Sequence, residues 1–202
     1  PEPFFADIPV EGILAFGAEK VNTFALGKGD TILQSQYIGD LKNWETFSFY
    51  TESLDRFRHL FRFTPSVLAY DMHPDYLSSQ EAERVAARTG LPLLKIQHHH
   101  AHAAACMLEY GLHEKVVAIV LDGTGLGDDG KVWGGEFFLC DRKEYRRLSH
   151  FEYVPLPGGD KAAVEPWRMA VAYLWHYWGD SARFPEGFPE RVGADKIRLL
   201  MT

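Results

Sequence analysis

The sequence predicts an α/β fold: a lobe in which helices flank a mixed β-sheet. Strand-length apolar runs alternate with helix-length amphipathic runs through the middle of the 202 residues. Near the start, three apolar runs separated by glycine-rich turns indicate a β-meander. Residues 115–121 form the most strand-like run in the chain. These observations together favour a layered structure around one mixed sheet.

The first third of the chain supplies the meander and the first large helix. Its strands are predicted over residues 12–16, 22–26 and 31–33. Residues 40–63 carry aromatic and aliphatic side chains at three- and four-residue steps, which predicts a helix. Residues 66–70 then have the length and composition of a short buried strand.

Two helices and one strand are predicted next. Ser78 or Ser79 is a candidate cap for a helix over residues 80–88, and a glycine marks the end of that helix. Residues 91–96 have strand length, and the alanine-rich residues 101–110 favour a helix. The histidine-rich residues between these two elements therefore lie where a strand gives way to a helix.

The second half of the chain begins with a hairpin. Residues 115–121 are predicted as a buried strand that presents Asp122 at its tip, and residues 132–140 as the returning strand. An amphipathic helix is predicted over residues 162–178, with Pro166 in its first turns marking its true start. A short helix over residues 194–201 follows.

Composition and charge exclude several classes of function. The formal net charge of -7 argues against nucleic acid as a bulk partner. The basic clusters at residues 56–62 and 142–147 are interleaved with apolar residues, as on the solvated side of an amphipathic element. Two cysteines make no disulfide framework, so a reducing compartment such as the cytoplasm is expected. No run is apolar enough to span a membrane.

Spacing selects one histidine pair as a candidate metal site. His98 and His102 are four residues apart, so on a helix both imidazoles face the same side. Cys106 continues the series, but each step drifts about 40° around the helix, so three ligands from this one helix would be strained. The alternative is that His102 and Cys106 are packing residues on an alanine-rich helix.

Asp122 is the second candidate in the same region. A carboxylate at the end of a strand, followed by glycines, is a common way to present an acid to a metal or a phosphate. The alternative is an ordinary hairpin, and the two interpretations are compatible. Two imidazoles and one carboxylate suit iron or zinc, and the sequence does not choose between them.

Seven phrases in one order carry a family resemblance. They are SQYIGDL (35–41), YDMHPDYL (70–77), QHHHAH (97–102), DGTG (122–125), WGGEF (133–137), LPGGDK (156–161) and EPWR (165–168). With them the chain resembles the HypF carbamoyltransferases of [NiFe]-hydrogenase maturation. The resemblance implies the actin/Hsp70/sugar-kinase fold. Residues 1–202 then correspond to the N-terminal lobe of the carbamoyl-transfer domain, with the second lobe and the upstream acylphosphatase-like, zinc-finger and YrdC-like domains outside the chain.

The resemblance also implies a reaction. Carbamoyl-adenylate, made from carbamoyl phosphate and ATP, would donate its carbamoyl group to the C-terminal cysteine of HypE. The transferred carbamoyl group would be the precursor of a cyanide ligand. The family's metal-binding histidines fall on His98 and His102, and Asp122 matches a further acidic ligand. Half of the catalytic cleft would be missing, so the chain alone is expected to be inactive.

Further site residues follow from matched positions. Glu19 and Asn22 match the family's first hairpin, although the lysine between them, Lys20, is displaced by one place. With the DGTG residues Gly123, Thr124 and Gly125, these two complete the expected nucleotide-binding set. His99, Lys161 and Arg168 are expected in catalysis, the last two to neutralise phosphate or orient the carbamoyl group. Local salt bridging is the alternative for Lys161 and Arg168.

Two other functions remain open from the sequence. The first is O-carbamoylation of a small-molecule hydroxyl, because such relatives share the histidine motif. The second is a folded lobe that binds a metal or a partner without turnover.

Overall fold

The predicted meander forms the middle of a six-stranded mixed sheet. The computed structural model describes residues 3–179 and 182–201. The strand order is β1-β4-β3-β2-β5-β6, in which β2–β5 and β5–β6 are parallel and the other pairs are antiparallel. The strands are β1 (Phe4–Phe5), β2 (Ile13–Ala15), β3 (Ala25–Lys28), β4 (Thr31–Gln34), β5 (Val67–Asp71) and β6 (Leu93–Ile96). The predicted mixed sheet is confirmed.

Helices α1 (Trp44–Leu60) and α2 (Leu77–Thr89) pack on this sheet. Their buried faces meet apolar side chains of β2, β3 and β5 in one core, which includes Leu14, Phe24, Tyr50, Leu68 and Val85. The periodic pattern predicted α1, and the glycine predicted to end α2, Gly90, ends it in the left-handed conformation.

The predicted serine cap of α2 is wrong. The helix begins at Leu77, so Ser78 and Ser79 lie inside its first turn and are buried. The residue before the helix, Tyr76, makes no side-chain cap. Instead, Oε2 of Glu19 in the first hairpin accepts a hydrogen bond from the Leu77 amide at 2.7 Å. A side chain 58 residues away in the sequence thus satisfies one of the free amides at this helix start.

Three antiparallel strands form a second sheet in the order β7-β8-β9. They are β7 (Val116–Leu126), β8 (Val132–Cys140) and β9 (Tyr145–His150). Because β7 continues to Leu126, Asp122 does not lie at a strand tip as predicted. It lies within β7, where the register with β8 shifts between Leu121 and Gly125.

Strand β7 is buried on one face only, which contradicts the prediction of a buried strand. Val117, Ile119 and Leu121 are 64%, 61% and 68% exposed. The other face packs on helix α3 (His98–Glu109), where Ala103 and Met107 share a core with Val120. The alternation of exposed and buried side chains is that of a strand covered on one side.

Four helices follow in the described part of the chain: α4 (Lys161–Val164), α5 (Pro166–Trp178), α6 (Phe188–Val192) and α7 (Ala194–Leu200). Pro166 occupies the start of α5 as predicted, and the predicted C-terminal helix is present. Within residues 3–179 and 182–201, no helix combines the length and the apolar character that crossing a bilayer requires.

The second basic cluster is not simply a solvated face. Nε of Arg147 donates to the buried carboxylate of Glu136 at 2.6 Å, and its guanidinium lies 4.0 Å from the Trp133 ring centroid. Arg142 donates to the carboxylate of Asp7. The sequence pattern could not show these contacts, because the partners come from other elements. The buried carboxylate of Glu136 needs a cation nearby, and Arg147 supplies it.

Candidate metal centre

The start of α3 brings the predicted histidines to the second sheet. Gln97 caps this helix: its Oε1 accepts from the His100 amide at 2.8 Å. Its Nε2 donates to the carbonyl oxygen of Leu126 at 3.1 Å, which ties the helix start to β7. One side chain thus fixes both the beginning of the histidine helix and its distance from Asp122.

His98, His102 and Asp122 point their ligand atoms at one another. The distance from His98 Nε2 to Asp122 Oδ2 is 3.0 Å, and from His98 Nε2 to His102 Nε2 it is 3.3 Å. His102 Nε2 lies 3.6 Å from Asp122 Oδ2. Ligand atoms at about 2.1 Å from a tetrahedral zinc ion are roughly 3.4 Å apart. The three atoms therefore fit the spacing that one ion requires, with a nitrogen and oxygen set that suits zinc or iron.

His98 is held between two carboxylates. Its Nδ1 lies 2.6 Å from Oδ2 of Asp71, the last residue of β5, and its Nε2 faces Asp122. Hydrogen bonds to Asp122 and to Asp71 raise the pKa of His98 to about 9, although burial acts in the opposite direction. Burial acts to raise the pKa of Asp122, but hydrogen bonds from His102 and His98 outweigh it and hold that pKa well below its usual value. His98 and the two carboxylates thus stabilise one another's charged forms.

Gly125 makes the close approach of α3 to β7 possible. A Cβ atom added there would lie 2.6 Å from Cε1 of His99 and 2.8 Å from Cδ2 of His98. Any side chain would therefore displace the histidines. The family resemblance implies a nucleotide-binding role for this glycine, and in the structure Gly125 lies beneath two imidazole rings.

His99 lies behind the cluster rather than in it. Its side chain is fully buried, and within the described residues neither ring nitrogen makes a hydrogen bond. Its Nε2 is 4.0 Å from Asp122 Oδ2, and its ring lies against Trp133. Burial, and secondarily the neighbouring charge of His98, lowers the pKa of His99.

The other residues expected at a nucleotide lie in two places. Glu19 and Asn22 are buried in the first hairpin, where Glu19 caps α2 and Asn22 Nδ2 donates to the Phe16 carbonyl at 3.2 Å. Burial raises the pKa of Glu19. Gly123 and Thr124 lie in β7 beside Asp122, and the Gly123 amide donates to Asp122 Oδ1 at 2.6 Å. Only this second pair borders the histidine cluster through a described contact.

The two expected cations differ in their surroundings. Arg168 donates to the carboxylate of Glu165 and stacks on Trp167, with 4.8 Å between its Cζ and the ring centroid. It thus has the local salt bridge that was its alternative interpretation. Lys161 is exposed at the start of α4, and no ion pair of Lys161 occurs among the described residues.

A cavity of about 490 Å³ lies next to the cluster, between the β7–β8 sheet and helices α4 and α5. Its lining includes Asp122 and Gly123 on one side, Ala162, Ala163 and Met169 on the other, and Tyr153. Asp122 therefore contacts the histidines and also borders a space large enough for a small substrate.

Comparisons with known proteins show the family to which this chain belongs. Residues 9–109 match the family model described as "HypF Kae1-like domain". Residues 118–199 match "Carbamoyltransferase, Kae1-like Domain, second subdomain". The chain is 42% identical over 189 residues to Carbamoyltransferase HypF2 of Cupriavidus necator, covering 94% of this chain and 23% of that protein. It is 38% identical over 205 residues to Carbamoyltransferase HypF of Synechocystis, covering 96% of this chain and 26% of that protein.

Solved structures give the same result. A full-length HypF crystal structure in the phosphate- and nucleotide-bound form matches the whole chain with a TM-score of 0.81 at 39% identity, over 26% of that protein. The crystal structure of T. kodakarensis HypF matches the whole chain with a TM-score of 0.82 at 32% identity, over 27% of that protein. The chain thus spans about a quarter of these relatives. The predicted α/β fold of the actin/Hsp70/sugar-kinase type is confirmed, and the chain belongs to the HypF carbamoyltransferase family, in the region of its Kae1-like domain.

Proposed function

We propose that this chain carries the site for transfer of a carbamoyl group from carbamoyl-adenylate to the C-terminal cysteine thiol of HypE. The observation that carries the proposal is the convergence of His98 Nε2, His102 Nε2 and Asp122 Oδ2 beside the cavity. Family membership supplies the reaction class, carbamoyl transfer. The ligand cluster supplies the place for it.

The chemistry is an acyl transfer. The HypE thiolate attacks the carbamoyl carbon and forms a carbon–sulfur bond, the carbon–oxygen bond to AMP breaks, and AMP leaves with the electron pair. Negative charge grows on the carbamoyl oxygen in the transition state. A divalent iron or zinc ion held by His98, His102 and Asp122 would supply Lewis-acid polarisation of that oxygen or of a phosphate oxygen.

Residues of the chain have separate tasks in this proposal. Gly123 offers its backbone at the edge of the cavity, next to Asp122, and Thr124 follows it in β7. Lys161 is the candidate for the phosphate, and its exposure and lack of a described ion pair support that assignment. Arg168 is tied to Glu165, so its proposed task is to orient the loop over residues 157–159, whose Pro157 carbonyl its Nη1 contacts at 3.4 Å.

Three further parts of the proposal concern cell context. ATP and carbamoyl phosphate are the ultimate donors, and HypE is the macromolecular partner. A reduced acceptor thiol requires a reducing compartment, so the proposed location is the cytoplasm. The net charge of -7 favours neither nucleic acid nor an acidic membrane surface as a partner.

Metal content is the first test. Purified chain is dialysed against chelator and titrated with zinc and with ferrous iron, in parallel with the variant H98A/H102A. We expect near-stoichiometric binding by the wild type and none by the variant. The matched control is H59A/H113A, which removes two exposed histidines outside the cluster and should bind as the wild type does.

Transfer is the second test. HypE and carbamoyl-adenylate are supplied to the chain and to a longer HypF relative in which the histidines aligned with His98 and His102 are replaced by alanine. We expect the unaltered relative to add one carbamoyl group to the HypE cysteine, and the altered relative to lose most of that rate. Formation of a stable O-carbamate on an added small alcohol, with HypE unmodified, would instead support the O-carbamoyltransferase alternative.

A further inference from the structure

We propose that Asp71 is a positioning residue for the metal centre: its carboxylate holds the imidazole of His98 with Nε2 directed at the ion. The inference rests on the proposed function, because it assigns a task to a residue outside the three ligands. Asp71 lies in the motif YDMHPDYL, but the sequence assigned it no role. Its position follows from how two neighbouring strands end.

Parallel pairing of β5 and β6 brings Asp71 to His98. In the register of these strands Asp71 is opposite Ile96, and Gln97 and His98 follow directly at the start of α3. The carboxyl ends of parallel strands meet at one edge of a sheet, so the two side chains leave the sheet at the same place. The pairing of the strands thus fixes a contact between two residues that are 27 positions apart in the sequence.

The carboxylate of Asp71 is itself held in place. The residue is 8% exposed, and Oδ1 accepts from the His73 amide at 2.9 Å while Oδ2 faces His98 Nδ1 at 2.6 Å. The Asp71 carbonyl oxygen accepts from the Ser79 hydroxyl at 2.8 Å, which anchors the backbone to α2. Rotation of the carboxylate would break one of these bonds, so its direction is set before any ligand binds.

The hydrogen bond selects a tautomer. An ionised carboxylate only accepts, so the proton between the two groups is on His98 Nδ1, and in the neutral ring the lone pair is on Nε2. That Nε2 is the atom 3.0 Å from Asp122 Oδ2 and 3.3 Å from His102 Nε2. A metal-binding histidine with its other nitrogen on a carboxylate is oriented and made more basic.

Asp71 itself is outside the ligand group. Its contact is with Nδ1, which lies on the opposite edge of the imidazole from Nε2. The three atoms that lie mutually close come from His98, His102 and Asp122. Asp71 therefore acts on the ion only through His98.

The test compares zinc affinity in the wild type, D71A and D71N by competition with a chromophoric chelator. For D71A we expect the zinc Kd to rise about 10- to 100-fold, the range for loss of an outer carboxylate. D71N keeps an oxygen acceptor and the shape of the side chain but loses the charge, so its zinc Kd should lie between those of the wild type and D71A. D75A, which removes an exposed carboxylate from the same loop, is the matched control and should bind zinc as the wild type does.

A second readout separates positioning from simple stabilisation. Long-range ¹H–¹⁵N spectra should show a protonated, hydrogen-bonded Nδ1 on His98 in the zinc-loaded wild type, and loss of that signal pattern in D71A. If the wild type binds zinc and both variants bind it equally well, the inference is wrong while the proposed metal centre stands. If the wild type binds no zinc at all, the proposed metal centre fails and the role of Asp71 fails with it.

Discussion

At the scale of single residues, the metal centre depends on a glycine, because any side chain at that position would collide with the histidine rings. Gly125 lies under the rings of His98 and His99, at distances where no Cβ atom fits. Its backbone is not in the left-handed region, so the requirement is purely steric. A substitution there tests whether the position of the histidines, and not only their presence, governs binding.

We predict that G125A weakens zinc binding as well as stability. The added methyl group meets His99 Cε1 and His98 Cδ2, so the rings must move or the strand must shift away from α3. Overpacking of this kind costs about 1–3 kcal/mol of unfolding free energy. Urea unfolding measures the stability, and zinc titration under folding conditions measures the binding.

A glycine elsewhere in the same hairpin provides the control. Gly130 has a φ of +72° and open space around its Cα, so G130A adds backbone strain without a clash. Such strain costs roughly 1–2 kcal/mol. G130A should therefore lose stability and keep its zinc affinity. Equal zinc affinity in G125A and the wild type would show that the ring positions tolerate a methyl group.

Single residues also show what sequence alone can supply. His98 and His102 were predictable because helix periodicity fixes which side chains share a face, and the structure brings them to Asp122. Asp71 was missed because its contact depends on the pairing of β5 with β6. The roles of Lys161 and Arg168 depend on a bound ligand and stay predictions.

At the scale of elements, the start of helix α2 is capped by a carboxyl group from the first hairpin. Glu19 is 2% exposed, and its Oε2 accepts from the Leu77 amide. Burial raises the pKa of Glu19, and the hydrogen bond from that amide only partly opposes it. The Glu19 carboxyl group thus caps the helix, while its burial disfavours its charged form.

This raised pKa gives stability a definite dependence on pH. The folded chain holds the Glu19 proton more tightly than the unfolded chain does, so the contribution of Glu19 is most favourable below the ordinary carboxyl pKa. It is lost as pH rises through the raised pKa of the folded state. We predict that the unfolding free energy of the wild type falls relative to E19Q as pH rises from the ordinary carboxyl pKa toward neutral pH.

Urea unfolding of both proteins across that range measures the difference. E11Q is the control, because Glu11 also accepts a backbone amide hydrogen bond, from Gly29, but is exposed. A wild type that gains stability relative to E19Q as pH rises would mean that the hydrogen bond outweighs burial.

Elements were predictable wherever their signal is local. Helix α1 and strand β8 follow from periodicity and turn residues: β8 has the predicted bounds, and α1 lies within the predicted residues 40–63. The predicted helix over residues 162–178 is divided into α4 and α5. The predicted start of α2 and the predicted length of β7 were both wrong because these features depend on contacts with other elements. Glu19 caps from a distance, and Gly125 pairs with Trp133 of β8, so the glycines that suggest a loop lie in a strand.

At the scale of the whole molecule, the centre joins the two sheets. Asp71 ends a strand of the six-stranded sheet, the histidines begin α3, and Asp122 belongs to the three-stranded sheet. The two family-model matches divide at the same place, because residues 9–109 end with α3 and residues 118–199 contain Asp122. An ion bound here would therefore hold together parts of the chain that otherwise meet through α3 and surface pairs such as Arg142 with Asp7.

We predict that zinc stabilises both sheets together. A ligand that binds only the folded state adds about 2.7 kcal/mol at 100 times its Kd. Because Asp71 of the first sheet holds His98, and Asp122 belongs to the second sheet, zinc should slow amide exchange at Leu14 and Leu68 of the first sheet and at Val120 and Phe138 of the second. Native-state hydrogen exchange with and without zinc measures this residue by residue. H98A/H102A should show no effect of zinc, and H59A/H113A should respond as the wild type does. Slower exchange confined to the second sheet would show that the ion secures α3 to β7 without coupling the two sheets.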